Sequence, residues 1–123
     1  MPVMANTNTI SLSPSMALRS PFALAPMAGL TDVPFRTLAW ELGAGYMVSE
    51  MVTVKAELWE TGKSRLRRVL VPGVNPNAVQ IAGHDALVMA ASAKRLVGEG
   101  VEAIGINLGC PSTTACRKAP GYA

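Results

Sequence analysis

Short apolar runs alternate with amphipathic segments from Pro21 to Ile106, and turn-forming residues separate them. Phe22-Ala23-Leu24-Ala25 reads as a strand stopped at Pro26. Thr31-Asp32-Val33-Pro34 then reads as a helix start, because a side chain that accepts orphan N–H groups precedes a proline in the first turn. That helix is expected to run to about Leu42, ahead of Gly43 and Gly45, and Tyr46-Met47-Val48-Ser49 forms a second strand that finishes in Glu50. Two short helical pieces follow, Lys55 to Gly62 and Ser64 to Leu70, and the turn formers from Val71 to Pro76 connect them to a third strand, Ala78 to Ala82. Asp85 caps the next helix, whose apolar positions Leu87, Ala90, Ala91 and Val97 leave Lys94 and Arg95 in the last turn, where cations suit the helix dipole. Gly98 and Gly100 close it, and Val101 to Ile106 is the fourth strand.

The order is βαβαβαβ, with strand starts spaced by about 25 to 30 residues, as repeated right-handed βα units require. An open doubly wound sheet and a barrel both fit that order. An open dinucleotide-binding sheet would carry a G-x-G-x-x-G loop after the first strand, whereas this chain has Pro26-Met27-Ala28-Gly29-Leu30, with one glycine. The fold class is therefore read as α/β, the amino-terminal half of a (β/α)8 TIM barrel with about four parallel strands, incomplete because a whole barrel needs roughly 250 residues. Either Leu24, Val48, Val79 and Ile104 or their alternating neighbours are expected to face the barrel interior. Open edges at the first and fourth strands are expected to make the half barrel self-associate.

Composition adds limits. Half of the 123 residues are apolar, enough for a sizeable core, and 15% are charged with a net balance of +3, a mild excess that permits a polyanionic partner without requiring one. Met1 to Ser20, rich in Ser, Thr, Asn and Pro with no evident period, reads as a disordered leader, which leaves residues 21–123 as the folded domain. The first positive side chain is Arg19, so the basic start of a secretory signal is not seen, and charges interrupt every apolar stretch before it reaches the length of a membrane span. Two cysteines, Cys110 and Cys116, and one histidine, His84, make neither a disulfide framework nor a metal-ligand pattern. A cytoplasmic setting is the default, and His84 and Cys116 receive no role.

The chemistry concentrates where strands end. Ile104-Gly105-Ile106-Asn107-Leu108-Gly109-Cys110-Pro111 is an apolar strand running into an Asn, a Cys and a Pro, and the carboxyl edge of a parallel sheet is where such barrels keep their reactive groups. Gln80 sits between Val79 and Ile81, where a buried amide must find partners. Glu50 points to the same edge as an orienting carboxylate. Lys63, Arg65, Arg67 and Arg68 form a basic cluster that either meets phosphate or lies on a solvated helix face, the second reading being favoured.

The blocks Pro21-Phe22-Ala23-Leu24-Ala25-Pro26-Met27-Ala28-Gly29-Leu30-Thr31-Asp32-Val33-Pro34-Phe35-Arg36, Ser49-Glu50-Met51, Val79-Gln80-Ile81-Ala82-Gly83 and Ile106-Asn107-Leu108-Gly109-Cys110-Pro111 stand in the order and spacing of the tRNA-dihydrouridine synthases. The sequence resembles the bacterial B-type branch over about residues 21–112. The resemblance implies a TIM-barrel enzyme that uses FMN and NADPH to reduce uridines of tRNA to 5,6-dihydrouridine. On it, Cys110 matches the catalytic cysteine, a general acid whose thiol, with an ordinary pKa of about 8.5, supplies a proton to C5 of uracil after hydride has reached C6. Asn107 would hydrogen-bond the uracil or flavin edge. Gln80 would bind the flavin pyrimidine ring, and Pro26, Met27 and Ala28 would lie against the isoalloxazine. The match weakens after Pro111, which implies a truncated amino-terminal part that lacks the later strands and the helical tRNA-binding domain. The alternatives are a non-catalytic fragment with at most residual RNA binding, and another FMN-dependent barrel oxidoreductase such as a dihydroorotate dehydrogenase relative.

Overall fold

From Ala23 onward every strand pairing in the structure is parallel. The structure is a computed structural model that describes residues 9–109. In chain order its elements are β1 (Ile10–Ser13), β2 (Met16–Leu18), β3 (Ala23–Leu24), α1 (Val33–Glu41), β4 (Tyr46–Met47), β5 (Val52–Thr53), α2 (Ala56–Trp59), α3 (Gly62–Arg68), β6 (Ala78–Ala82), α4 (Ala86–Gly98) and β7 (Ala103–Ile106). β3 lies beside β4 with Ala23 opposite Tyr46, and β6 lies between β5 and β7 with Ile81 opposite Val52 and Val79 opposite Ile104. A parallel bridge from Val48 to Ala78 links the two pairings. The fold is thus mixed α/β with parallel strands.

The second strand differs from its expected form. It does not run unbroken from Tyr46 to Ser49 but opens after Met47 and resumes at Val52. Side chains compete with the ladder in the gap: Ser49 Oγ donates to the Glu50 carbonyl at 3.0 Å and accepts the Gln80 N–H at 3.4 Å. The interruption turns Glu50 and Met51 toward the strand ends.

Helix starts follow their caps. Asp32 Oδ1 accepts the Phe35 N–H at 3.0 Å with Pro34 in the first turn, and Asp85 Oδ1 accepts the Leu87 and Val88 N–H groups at 2.9 and 3.0 Å. Gly43, at φ +103°, supplies the left-handed residue that ends α1. The buried face of α4 differs from the expected set. Leu87 and Val97 are 83% and 62% exposed, whereas Ser92 and Leu96 are buried and Met89 packs on the core. Met89, Ser92 and Leu96 recur at helical spacing, while the face through Leu87, Ala90 and Ala91 continues to Lys94, so the period itself favours the first set.

Two apolar clusters lie between sheet and helices. One joins Val52, Val54, Trp59, Val79, Ile81, Leu96 and Val101, with Ile104 packed against it, and the other joins Met47, Val71 and Val74 with Leu24, Val33 and Trp40 at its margin. Leu24, Val79 and Ile104 therefore face the helices, and by alternation Ala78, Gln80 and Gly105 occupy the opposite face. Where a disordered leader is expected, β1 and β2 pair as an antiparallel hairpin, Ile10 opposite Leu18. Ile10, Leu12, Met16 and Leu18 do alternate, but over runs too short to stand out from the Ser and Pro around them. The hairpin is tied down by buried Leu18, by the Arg19 guanidinium 3.3 Å from the Trp40 ring centroid, and by Ser20, whose backbone lies so close to Gly45 that a Cβ there would overlap it. Among the described residues no helix is long and apolar enough to cross a membrane.

Candidate functional site

β6 and β7 run side by side, and Gln80 and Asn107 come off the same face because Gln80 is opposite Gly105 and the pleat brings Asn107 round two residues later. Asn107 Nδ2 donates to Gln80 Oε1 at 3.3 Å and lies 3.4 Å from Met51 Sδ. Asn107 Oδ1 accepts the Gly109 N–H at 3.0 Å, and its own backbone N–H continues the ladder to the Ile81 carbonyl at 2.9 Å. Both amides are half-buried. Since Gly105 contributes no side chain beside Gln80, the two amides border an open surface with donors and acceptors side by side.

Pro26, Met27 and Ala28 leave the carboxyl end of β3 in a tight turn. The Met27 carbonyl accepts N–H groups of Leu30 and Thr31 at 3.1 and 3.0 Å, and Thr31 Oγ1, fully buried, accepts the Met27 N–H at 3.0 Å. Gly29 holds φ +76° in this turn, a conformation side-chain-bearing residues rarely adopt. Its N–H donates to Glu50 Oε1 at 2.8 Å. Glu50 is 9% exposed, and its other oxygen stands 2.6 Å from Arg67 Nε. Arg67 Nη1 in turn donates to the Met51 carbonyl at 2.9 Å. Beneath the turn, buried Arg36 donates to the Thr31 and Val69 carbonyls, both at 3.1 Å, and burial lowers its pKa against the opposing pull of Asp32 and Glu50.

The structure therefore brings Gln80 and Asn107 into contact and joins the Pro26–Ala28 turn to them through Gly29, Glu50, Arg67 and Met51. Cys110 lies outside the described residues. Met51 and Arg67 escape a sequence reading for different reasons. Met51 adjoins the Ser49-Glu50 block but carries no group that marks a site, and nothing in the chain pairs Arg67 with a carboxylate 17 positions earlier. The basic cluster is mostly consumed internally. Arg65 pairs with Glu60 at 3.1 Å, Arg67 with Glu50, and Arg68 with Glu99 at 2.7 Å, so that among the described residues Lys63 alone of the four makes no ion pair. Beside the amide pair, a cavity of about 470 Å³ opens at the ends of β5 and β6, lined by Met51, Thr53, Val54, Lys55, Ala82 and His84 among others.

A flat heterocycle with donors and acceptors on one edge fits these features, because paired amides read such an edge and an adjacent thioether adapts to a ring face. A Gln in mid-strand bonded to an Asn just after the neighbouring parallel strand, with a glycine turn held beside them, defines a parallel α/β protein with an amide-lined site on one sheet face. The dihydrouridine synthase family model matches residues 23–123, and the chain belongs to that family. It is 54% identical over 106 residues to the tRNA-dihydrouridine synthase B of Pseudomonas putida, covering 86% of this chain and 32% of that protein. Its identity to the tRNA-dihydrouridine synthases B of Salmonella typhimurium and Escherichia coli K12 is 49% and 48%, again over 86% of this chain and 33% of theirs. The chain spans about a third of the length of the curated relatives it matches.

Proposed function

We propose that these residues form the flavin-facing part of a tRNA-dihydrouridine synthase, in which the described parallel strands are consecutive strands of a (β/α)8 barrel. The carrying observation is the Gln80–Asn107 amide contact of 3.3 Å between the middle of β6 and the residue that follows β7, in a chain about half identical to enzymes of that name. FMN would be the resident cofactor, and when bound it supplies the hydride, taken from NADPH, that uracil receives at C6. Gln80 would donate to and accept from the pyrimidine edge of the flavin, and Asn107, fixed through its Oδ1 by Gly109, would exchange its Nδ2 contact with Gln80 or Met51 for one with the flavin or uracil edge. The Pro26–Ala28 turn covers the ring face. Cys110 gives its thiol proton to C5 of uracil, which completes reduction of the C5–C6 double bond.

The test joins residues 1–109 and the Cys110-Pro111 pair to the remaining two-thirds of the Pseudomonas putida relative and assays dihydrouridine in unmodified tRNA. The chimera is expected to be active. Cys110→Ala should lose about 10²- to 10⁴-fold of product formation while NADPH still bleaches the flavin, and Gln80→Ala should instead lose flavin from the protein. A chimera that holds flavin, oxidises NADPH and makes no dihydrouridine would overturn the reading. A Cys110→Ala variant working at the unmutated rate would remove Cys110 as the acid.

A further inference from the structure

The contacts around Glu50 form one line across the site. Gly29 N–H meets Glu50 Oε1 at 2.8 Å, Glu50 Oε2 meets Arg67 Nε at 2.6 Å, Arg67 Nη1 meets the Met51 carbonyl at 2.9 Å, and Met51 Sδ meets the Asn107 amide at 3.4 Å. We infer that Arg67 is a positioning residue, which holds the Pro26–Gly29 turn and the Gln80–Asn107 amides at one fixed spacing by gripping Glu50 and Met51 at once. The inference rests on the flavin-site reading for its purpose, though not for its geometry.

Three physical points support it. A carboxylate 9% exposed at a strand end needs a close cation, since an uncompensated buried charge is strongly destabilising. Arginine is suited to this place because its planar guanidinium sets its charge against a carboxylate at Nε, as an ion pair without a hydrogen bond, while Nη1 donates to a carbonyl, which a lysine ammonium on one point cannot do with the same fixed angles. Finally, the guanidinium reaches the Glu50 carboxylate through Nε and the Met51 main chain through Nη1 rather than apolar core. Their loss would therefore move the turn and the Met51 backbone before it loosened the packed clusters. A cavity of about 320 Å³ bounded by Gly29, Thr31, Glu50, Lys63 and Arg67 gives the turn room to move.

The experiment follows deuterium exchange in the 123-residue chain for peptides covering residues 26–31, 10–18 and 86–98, in the unmutated chain and in Arg67→Met, Arg67→Lys and Glu50→Gln. Arg67→Met should speed exchange within 26–31 about tenfold, as expected when an ion pair and a hydrogen bond together worth about 1.4 kcal/mol are lost, and should leave the other two peptides unchanged. Arg67→Lys keeps the charge but not the two-point geometry and should restore only part of that protection. Glu50→Gln, which keeps shape and an acceptor for Gly29, gives the same local effect by a second route should Arg67→Met fail to fold. Exchange that rises uniformly in all three peptides of Glu50→Gln, exchange unchanged at 26–31, or full recovery with lysine would overturn the inference. Flavin is tested apart: millimolar FMN should protect 26–31 in the unmutated chain, and its failure to do so would count against the flavin reading while the ligand-free comparison still decides the role of Arg67.

Discussion

The two apolar clusters are built alike and finished differently. Around β6 the core is closed: Val79, Ile81 and Leu96 are at most 1% exposed, strands flank β6 on both sides, and α4 and Trp59 cover it. Around β3 it is open. β3 pairs only with β4 among the described residues, Phe22 and Leu42 are 72% and 76% exposed, and a groove of about 360 Å³ runs between β3 and α1, lined by Phe22, Leu24, Phe35, Leu38 and Leu42 among others. A strand with neighbours on both sides places its alternating residues in two defined environments. An edge strand has one side whose backbone groups and apolar flank lack a protein partner. Stability should thus reside at β6 and association at β3.

The largest effect that would break this contrast is in the closed cluster. Ile81→Ala should cost about 2–5 kcal/mol, the range for deleting a fully packed Ile or Leu side chain, whereas Phe22→Ser should leave the denaturant midpoint nearly unchanged. Equal losses at the two sites would mean that both clusters are equally closed. Next in size is association. The unmutated chain should scatter light as a dimer or larger species at micromolar concentration, since exposed apolar surface beside an open strand edge favours pairing with another copy. Phe22→Ser combined with Leu42→Glu should shift that distribution toward monomer. A monodisperse, cooperatively melting monomer from the unmutated chain would refute the open-edge account.

The same contrast explains what the sequence discloses. β6 is readable to the residue, because Ala78 to Ala82 is an apolar run broken only by Gln80 and bounded by Asn77 and Gly83, and the caps Asp32 and Asp85 announce their helices. The gap at Ser49–Met51 is hidden because it depends on Ser49 bonding a backbone N–H 31 residues away. The burial of α4 is misread for another reason: Leu87 and Val97 are apolar enough for a core, but the helical period runs through Met89, Ser92 and Leu96, and that face packs inward. At the site, Gln80 and Asn107 stand out as polar residues in apolar runs, and the four family blocks include both. Arg67 has no such mark, since long-range ion pairs leave no local pattern, and it looked like one member of a basic cluster.

The smallest effect sharpens the contrast at the outer surface of the closed cluster. Glu60 sits between Arg95 and Arg65, and Arg95 also stands 5.1 Å from the centre of the Trp59 ring. Hydrogen bonding to Arg95, opposed by desolvation and aided by Arg65, holds the Glu60 carboxyl below its ordinary value of 4.5. A carboxylate lowered by folding contributes stability that is fully present above its unfolded pKa and is lost as pH falls through the folded one. The side chain is exposed, so solvent and salt screen the pair and the gain is small. Glu60→Gln should therefore melt slightly lower than the unmutated chain at neutral pH and low salt, with the difference fading below pH 4.5 and in high salt. The corresponding carboxylate beside the open cluster, Glu41, has no ion pair among the described residues, and Glu41→Gln should leave the melting temperature at neutral pH and low salt nearly unchanged. A gap of the same size at both positions at neutral pH and low salt would show that general charge balance, and not the cover over Trp59, accounts for it.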